Sequence, residues 1–256
     1  MEQNKIYNLI KIIFIFFISI LLIEGAFHFY YYLISQKFDF LEFKNQSGYN
    51  TLIWSENGLV EFLQVILLFL TLLFLLIFFK KKAGNLNKLI KVFMVFYFLG
   101  VLYYFFEEIS WGQHIFGWQT AEFFSKINTQ NETNFHNTSN LFNELPRSIL
   151  LIWCSLSFIF IKIIDGKYYN LKNIIYPNQN LKFISIIILI FVIPDLFIDK
   201  LNLAPGHPAN NEKEILLNII FEILSFNFVR LSELQELLFN FYILWHSYYL
   251  VKVRVA

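Results

Sequence analysis

Six stretches of this chain are long and apolar enough to cross a lipid bilayer, and no other feature limits its fold so strongly. They lie at about 8–34, 58–80, 88–110, 147–165, 181–199 and 231–252. A helix needs about 20 apolar residues to span the hydrocarbon layer. Inside that layer every backbone N–H and C=O must be satisfied, which only helices and closed barrels achieve. The runs have helical length. The expected class is an all-α integral membrane protein of about six transmembrane helices, a single polytopic membrane domain over 1–256. The composition is 57% hydrophobic and only 15% charged, whereas soluble domains carry about 25% charged residues.

The first run follows Lys5 and Lys11, as a signal peptide would. It continues past Glu24 through Tyr30–Leu33 with no small-x-small cleavage site, so it reads as an uncleaved span. Glu212–Asn227 is apolar but too short to span and reads as an interfacial or core helix. A lone cysteine, Cys154, forms no internal disulfide. The formal net charge of +1 and the lack of a basic patch predict no nucleic-acid partner. Membrane lipids are the expected surroundings and partners.

Basic residues in cytoplasmic loops set topology. With the N-terminus inside, 13 of the 20 Lys and Arg residues fall in inner segments, including Lys80, Lys81 and Lys82. Both termini are then cytoplasmic. The acids divide more sharply, with 17 of 19 in outer loops or the outer halves of spans. Acids contribute little to orientation, so this bias needs another cause.

Several of these acids interrupt apolar runs. Glu24 and His28 share a face of the first span, and Glu61 and Gln64 begin the second. Glu107 and Glu108 close the third, Asp195 and Asp199 lie near the end of the fifth, and Glu233, Glu236 and Asn240 begin the sixth. An ionisable group at membrane depth costs about 2.5–3.5 kcal/mol on insertion scales and persists where it faces a bundle interior with partners. For Glu61, Asp199 and Glu233 a plain interfacial position is at least an equal reading, and for Trp54 and Trp118 an aromatic interface belt is the preferred one. For Glu24, Glu107 and Glu236, flanked by apolar residues, an acidic pocket at the outer ends of the helices is the stronger expectation.

The densest site is Glu107–His114, EEISWGQH. If the helix continued, Glu107, Trp111 and His114 would share a face. Neighbours on a helix point about 100° apart, so only one of Glu107 and Glu108 is expected to face the pocket. The glycines around His114 suggest an interfacial or re-entrant segment after the third span. Downstream, Glu132 and His136 would align if Asn128–Asn137 were helical, and Asn143–Pro146 suggests a helix start with proline in its first turn. Histidines and carboxylates together suit a divalent metal such as zinc, although no compact ligand motif is present.

The EEISWGQ core, together with Asn128–Asn137, Glu56–Phe62 and Ser232–Glu236, resembles uncharacterised bacterial multi-pass membrane proteins. Those proteins share the core, an NxQxExNxHN segment, an acidic start to an earlier span and a Glu-rich last span. The resemblance touches most of the chain and implies a bacterial multi-pass membrane protein; with the topology read from the loop charges, the expected place is the bacterial cytoplasmic (inner) membrane, the pocket facing the periplasm. It assigns no activity. A fainter likeness is to alkaline ceramidase-like membrane hydrolases, which use Ser, Asp and His around zinc. Asn143–Pro146 is similar to one of their motifs, but His246 stands alone where a pair belongs.

The leading expectation is an enzyme at the outer leaflet, a metal-assisted hydrolase or transferase acting on a lipid or lipid-linked substrate. Glu107, Glu108, Glu236 and Glu24 are its acid–base candidates, and His114, His136, Glu132 and His28 its metal ligands. One alternative is an ion-coupled transporter, with Glu236, Asn240 and Ser247 along one stripe of the last span. Another is a non-catalytic membrane subunit or assembly factor.

Overall fold

The computed structural model describes residues 58–82, 84, 86–128, 132–135, 138–163, 174–175, 180–200 and 231–252. The first expected span with Glu24 and His28, the histidines His136 and His207, and the helix expected over 212–227 lie outside the described residues.

All regular structure among the described residues is helical. In chain order the helices are α1 (Leu59–Lys82), α2 (Lys88–Glu108), α3 (Gln113–Phe116), α4 (Glu122–Ile127), α5 (Asn140–Ile163), α6 (Leu181–Lys200) and α7 (Leu231–Lys252), with a 3-10 turn at Ser110–Gly112 after α2. The chain forms two compact units, Met1–Gly58 with Ile190–Leu234, and Leu59–Leu189 with Gln235–Ala256. In the first, the described residues are Gly58, the second half of α6 and the opening turn of α7. The second holds the rest and all the geometry below.

Helices α1 and α2 are each long and apolar enough to cross a membrane. Glu61 lies in the first turn of α1 and Lys80, Lys81 and Lys82 in its last, matching the positive N-terminal and negative C-terminal ends of the helix dipole. The Asn87 side chain caps α2 by accepting from the Ile90 N–H at 2.9 Å, satisfying one of the N–H groups a helix start leaves open. One stripe of each helix is buried: Gln64, Leu68, Thr71, Leu75 and Phe78 on α1, and Ile90, Met94, Tyr97 and Val101 on α2. The three- and four-residue spacing is that of a single helical face. The other faces expose Phe62, Phe69 and Leu76, and Leu89, Phe96 and Leu99.

Contacts between helices fix their directions. Phe69 meets Phe105 and Phe79 meets Phe98, so α1 and α2 are antiparallel. Tyr97 meets Ser247, and Lys82 Nζ donates to the Leu250 carbonyl, so α7 runs against α2 and with α1. Trp153 meets Tyr242 and His246, and Arg147 meets Gln235, so α5 runs with α7. Ser185, on the first half of α6, donates to the Cys154 carbonyl.

Two boundaries differ from expectation. Helix α2 stops at Glu108 rather than continuing to 110. Helix α5 begins at Asn140, seven residues before the expected 147, and holds Pro146 inside it. The Ser139 hydroxyl accepts from the Phe142 N–H at 3.4 Å and so closes the start of the helix. Pro146 has no N–H to give the Phe142 carbonyl.

Candidate functional site

The end of α2 departs from the helix over three residues. Ser110, Trp111 and Gly112 have φ of 45°, 53° and 98°, all left-handed. Left-handed backbone costs a residue with a side chain roughly 1–2 kcal/mol, so Ser110 and Trp111 need compensation. Glu107 supplies it. The carboxylate is 3% exposed; Oε1 accepts from Trp111 Nε1 at 2.8 Å, and Oε2 from the Phe135 backbone N–H at 2.7 Å. Hydrogen bonds to a charged group contribute about 1.5–3 kcal/mol each, so together they outweigh the strain of two left-handed residues. The Trp111 ring stacks on Phe106 at 5.2 Å.

A second layer ties the loop to this turn. Glu132 Oε2 accepts from Ser110 Oγ at 3.0 Å and from Asn134 Nδ2 at 2.6 Å. Asn128 Nδ2 donates to Asn134 Oδ1 at 2.7 Å, and Gln113 Oε1 accepts from the Thr133 N–H at 2.7 Å. Residues 132–135 are an irregular loop, not the helix that would align Glu132 with His136. Asn and Ser side chains bonding nearby backbone compete with helix formation. The left-handed turn also removes the face that Glu107, Trp111 and His114 would have shared. Gly117, with φ 67°, ends the short α3. Phe116 before it, and Trp118, Phe123 and Ile127 beyond it, are exposed.

Beside the turn is a cavity of about 310 Å³ between α2, α5 and α7. Tyr97, Trp153, Phe239 and Ile243 line one part of it, and Glu107, Glu108, Glu236 and Arg147 also contribute to the wall. Both glutamates of the EEISWGQH pair line the cavity, where only one was expected. Both lie within α2, at its last two positions.

The structure therefore brings Glu107, Glu108 and Glu236 to one cavity. Glu132 lies in the loop network. His114 lies on α3. Among the described residues no three His, Cys, Asp or Glu side chains group together as metal ligands would. Sequence reasoning missed Arg147 and the aromatic wall. Arg147 read as a loop charge, and nothing in its surroundings, Asn143–Ser148, marks it as anything else.

Farther along α7 several polar groups are fully buried. Asn240 is 0% exposed, and neither atom of its amide has a partner among the described residues. His246 Nε2 lies 2.8 Å from the Ile174 carbonyl and 3.2 Å from that of Ile175. Both are acceptors, so the proton sits on Nε2 and Nδ1 presents a lone pair, without a partner among the described residues. Tyr97 OH lies 3.0 Å from Ser247 Oγ. No family model, characterised protein or solved structure matches the chain.

Proposed function

We propose that the chain is a multi-pass protein of the bacterial inner membrane, and that its cavity takes an amphipathic lipid or lipid-linked substrate at head-group depth for hydrolysis or group transfer. The observation that carries this reading is one largely aromatic and aliphatic cavity with carboxylates and an arginine in its wall. Ligand sites are commonly apolar with a few convergent polar groups. The outward faces of α1 and α2 remain apolar, which suits helices whose solvent is lipid. The second unit also has Lys82 and Lys252 at one end of its helices and Glu61, Glu107, Glu108 and Glu236 at the other, as a basic cytoplasmic side requires.

In this reading Glu107 holds the turn, and Glu108 and Glu236 exchange protons with the substrate. Two carboxylates at one site can serve as general acid and general base. Any divalent metal would draw on His114 and the histidines outside the described residues.

Gly100 offers a direct test. It lines the cavity, and a Cβ placed there meets nothing within 4 Å. A photoreactive single-chain lipid is expected to label α2 and α5 of the wild type, and Gly100→Phe is expected to abolish that labelling. With total membrane lipids as substrate, mass spectrometry is expected to show one lipid class consumed by wild type and spared by Glu236→Gln. Equal labelling of both proteins removes the cavity from the reading.

The buried polar stripe of α7 favours a second reading, an ion-coupled carrier. Asn240 and the Nδ1 of His246 are unsatisfied among the described residues, and polar groups deep within spans mark solute pathways. Proton-coupled flux in proteoliposomes, lost in Asn240→Leu, would place it first.

A further inference from the structure

The segment after the left-handed turn carries an apolar surface that the fold holds outward. Phe123 on α4 is 65% exposed and Phe116 on α3 73%. Residues of a helix advance by about 100° each. On α4, Phe123, Phe124 and Ile127 therefore fall on one half of the helix, and Glu122, Ser125 and Lys126 on the other. The polar half carries one acid and one base, and they pair with each other: Lys126 Nζ lies 2.6 Å from Oε1 of Glu122. A helix divided in this way suits a boundary between apolar and polar media.

The fold also fixes the level of this surface. Phe124 packs on Phe135 with ring centroids 5.2 Å apart, Phe135 lies 6.5 Å from Trp111, and Trp111 stacks on Phe106 in the last turn of α2. A second apolar pair rests on the same turn. Phe116 and Trp118 stack at 5.5 Å, and a Cβ on Gly112 would come within 2.9 Å of Trp118 and 3.2 Å of Phe116. Both parts of the segment are thus tied to the end of α2, a helix long and apolar enough to cross a membrane. Where a span leaves the hydrocarbon, an outward apolar surface meets acyl chains just beneath the head groups, and Trp and Phe are typical of helices lying at that depth.

We infer that residues 115–127 form an anchor lying in the membrane interface at the end of α2. Phe116, Phe123 and Ile127 enter the acyl chains, and the Glu122–Lys126 pair stays at the head groups. The partner is the lipid surface itself, and zwitterionic lipid suffices, because the pair neutralises its own charge. The anchor sets the depth of the turn, and with it the depth at which the Glu107 and Glu108 wall of the cavity meets the bilayer. This rests on the reading of the chain as a membrane protein, and not on what the cavity holds.

The experiment puts a spin label on single cysteines of the full chain, with Cys154 replaced by Ala, in phosphatidylcholine vesicles with and without phosphatidylglycerol. Phe123→Cys and Ile127→Cys report the apolar half of α4, Ser125→Cys its polar half, and Phe96→Cys the exposed side of α2 near its middle. Collisions with oxygen, which concentrates among acyl chains, are compared with collisions with a water-soluble nickel chelate. The oxygen-to-nickel ratio at Phe123 and Ile127 is expected to exceed that at Ser125 by roughly threefold or more, as for an apolar face seated about 5–10 Å into the head-group boundary. The ratio is expected to be the same in both lipid mixtures and highest at Phe96. A second measurement needs no cysteine: the emission lost in Trp118→Phe is expected to be quenched by phosphatidylcholine brominated close to its head group.

Nickel access at Phe123 and Ile127, with oxygen access at Phe96, overturns the inference and leaves the membrane reading standing. Low access to both reagents at Phe123 and Ile127 overturns it as well, because protein then covers the face: a second copy where the label spectrum broadens, another part of this chain where it does not. A high oxygen ratio only in the mixture with phosphatidylglycerol overturns the zwitterionic assignment. Nickel access at Phe96 overturns the membrane reading, and the inference with it. Should the cysteine variants not fold, the Trp118 measurement decides alone, and an absence of quenching overturns the inference.

Discussion

The left-handed turn after α2 and the polar stripe of α7 treat buried polar groups in opposite ways. In the turn, Glu107 takes donors from Trp111 and the Phe135 backbone, and Glu132 takes Ser110 and Asn134. In the stripe, Asn240 and His246 Nδ1 stay unsatisfied among the described residues, although each residue is 0% exposed. A satisfied network rigidifies, whereas an orphaned polar group costs stability and is kept where something else needs it. Glu107 and Glu132 are thus taken up by the fold around the turn. Acid content alone does not identify a catalytic group: Glu107, the most buried acid of the EEISWGQ core, is the one most occupied with structure.

Three substitutions test this contrast. Glu107→Ala removes the acceptor of the Trp111 and Phe135 donors at once and exposes the strain of Ser110 and Trp111. It is expected to cost about 3 kcal/mol or more, read as a lowered unfolding midpoint in detergent; a change near zero would break the contrast outright. Gly112→Ala is expected to cost about 2 kcal/mol, from left-handed backbone and overpacking, since the new Cβ would sit 2.9 Å from Cη2 of Trp118. In the stripe the sign reverses. Asn240→Leu replaces an unsatisfied amide with an apolar side chain of similar size and is expected to raise stability by about 1 kcal/mol while impairing activity. A loss of stability comparable to that of Glu107→Ala would show that Asn240 is structural after all.

Much of the helical plan was legible because apolar runs and their flanking charges carry it. The expected ranges 58–80, 88–110, 181–199 and 231–252 match α1, α2, α6 and α7 to within two residues at either end. The start of α5 was not legible, because Pro146 resembles a first-turn proline and the polar Asn140–Glu144 before it resembles loop. The cap at Ser139 starts the helix nonetheless, and the proline falls in its interior. The loop misled in another way. Glu132 and His136 have helical spacing, yet Asn128 and Asn134 bond to each other and to neighbouring backbone, which local periodicity does not register. The cavity's acids could be found as charges inside apolar runs, whereas Arg147 could not be told from a topological charge until Gln235 was seen to hold it.

The bond from Phe135 to Glu107 spans 28 residues of chain. In synthesis from the N-terminus, α2 with Glu107 is made well before Phe135. Until then the carboxylate lacks one of the donors it has in the finished turn. Shortening the chain between Gly117 and Phe135 would therefore take that donor from Glu107 without touching any residue of the cavity wall directly.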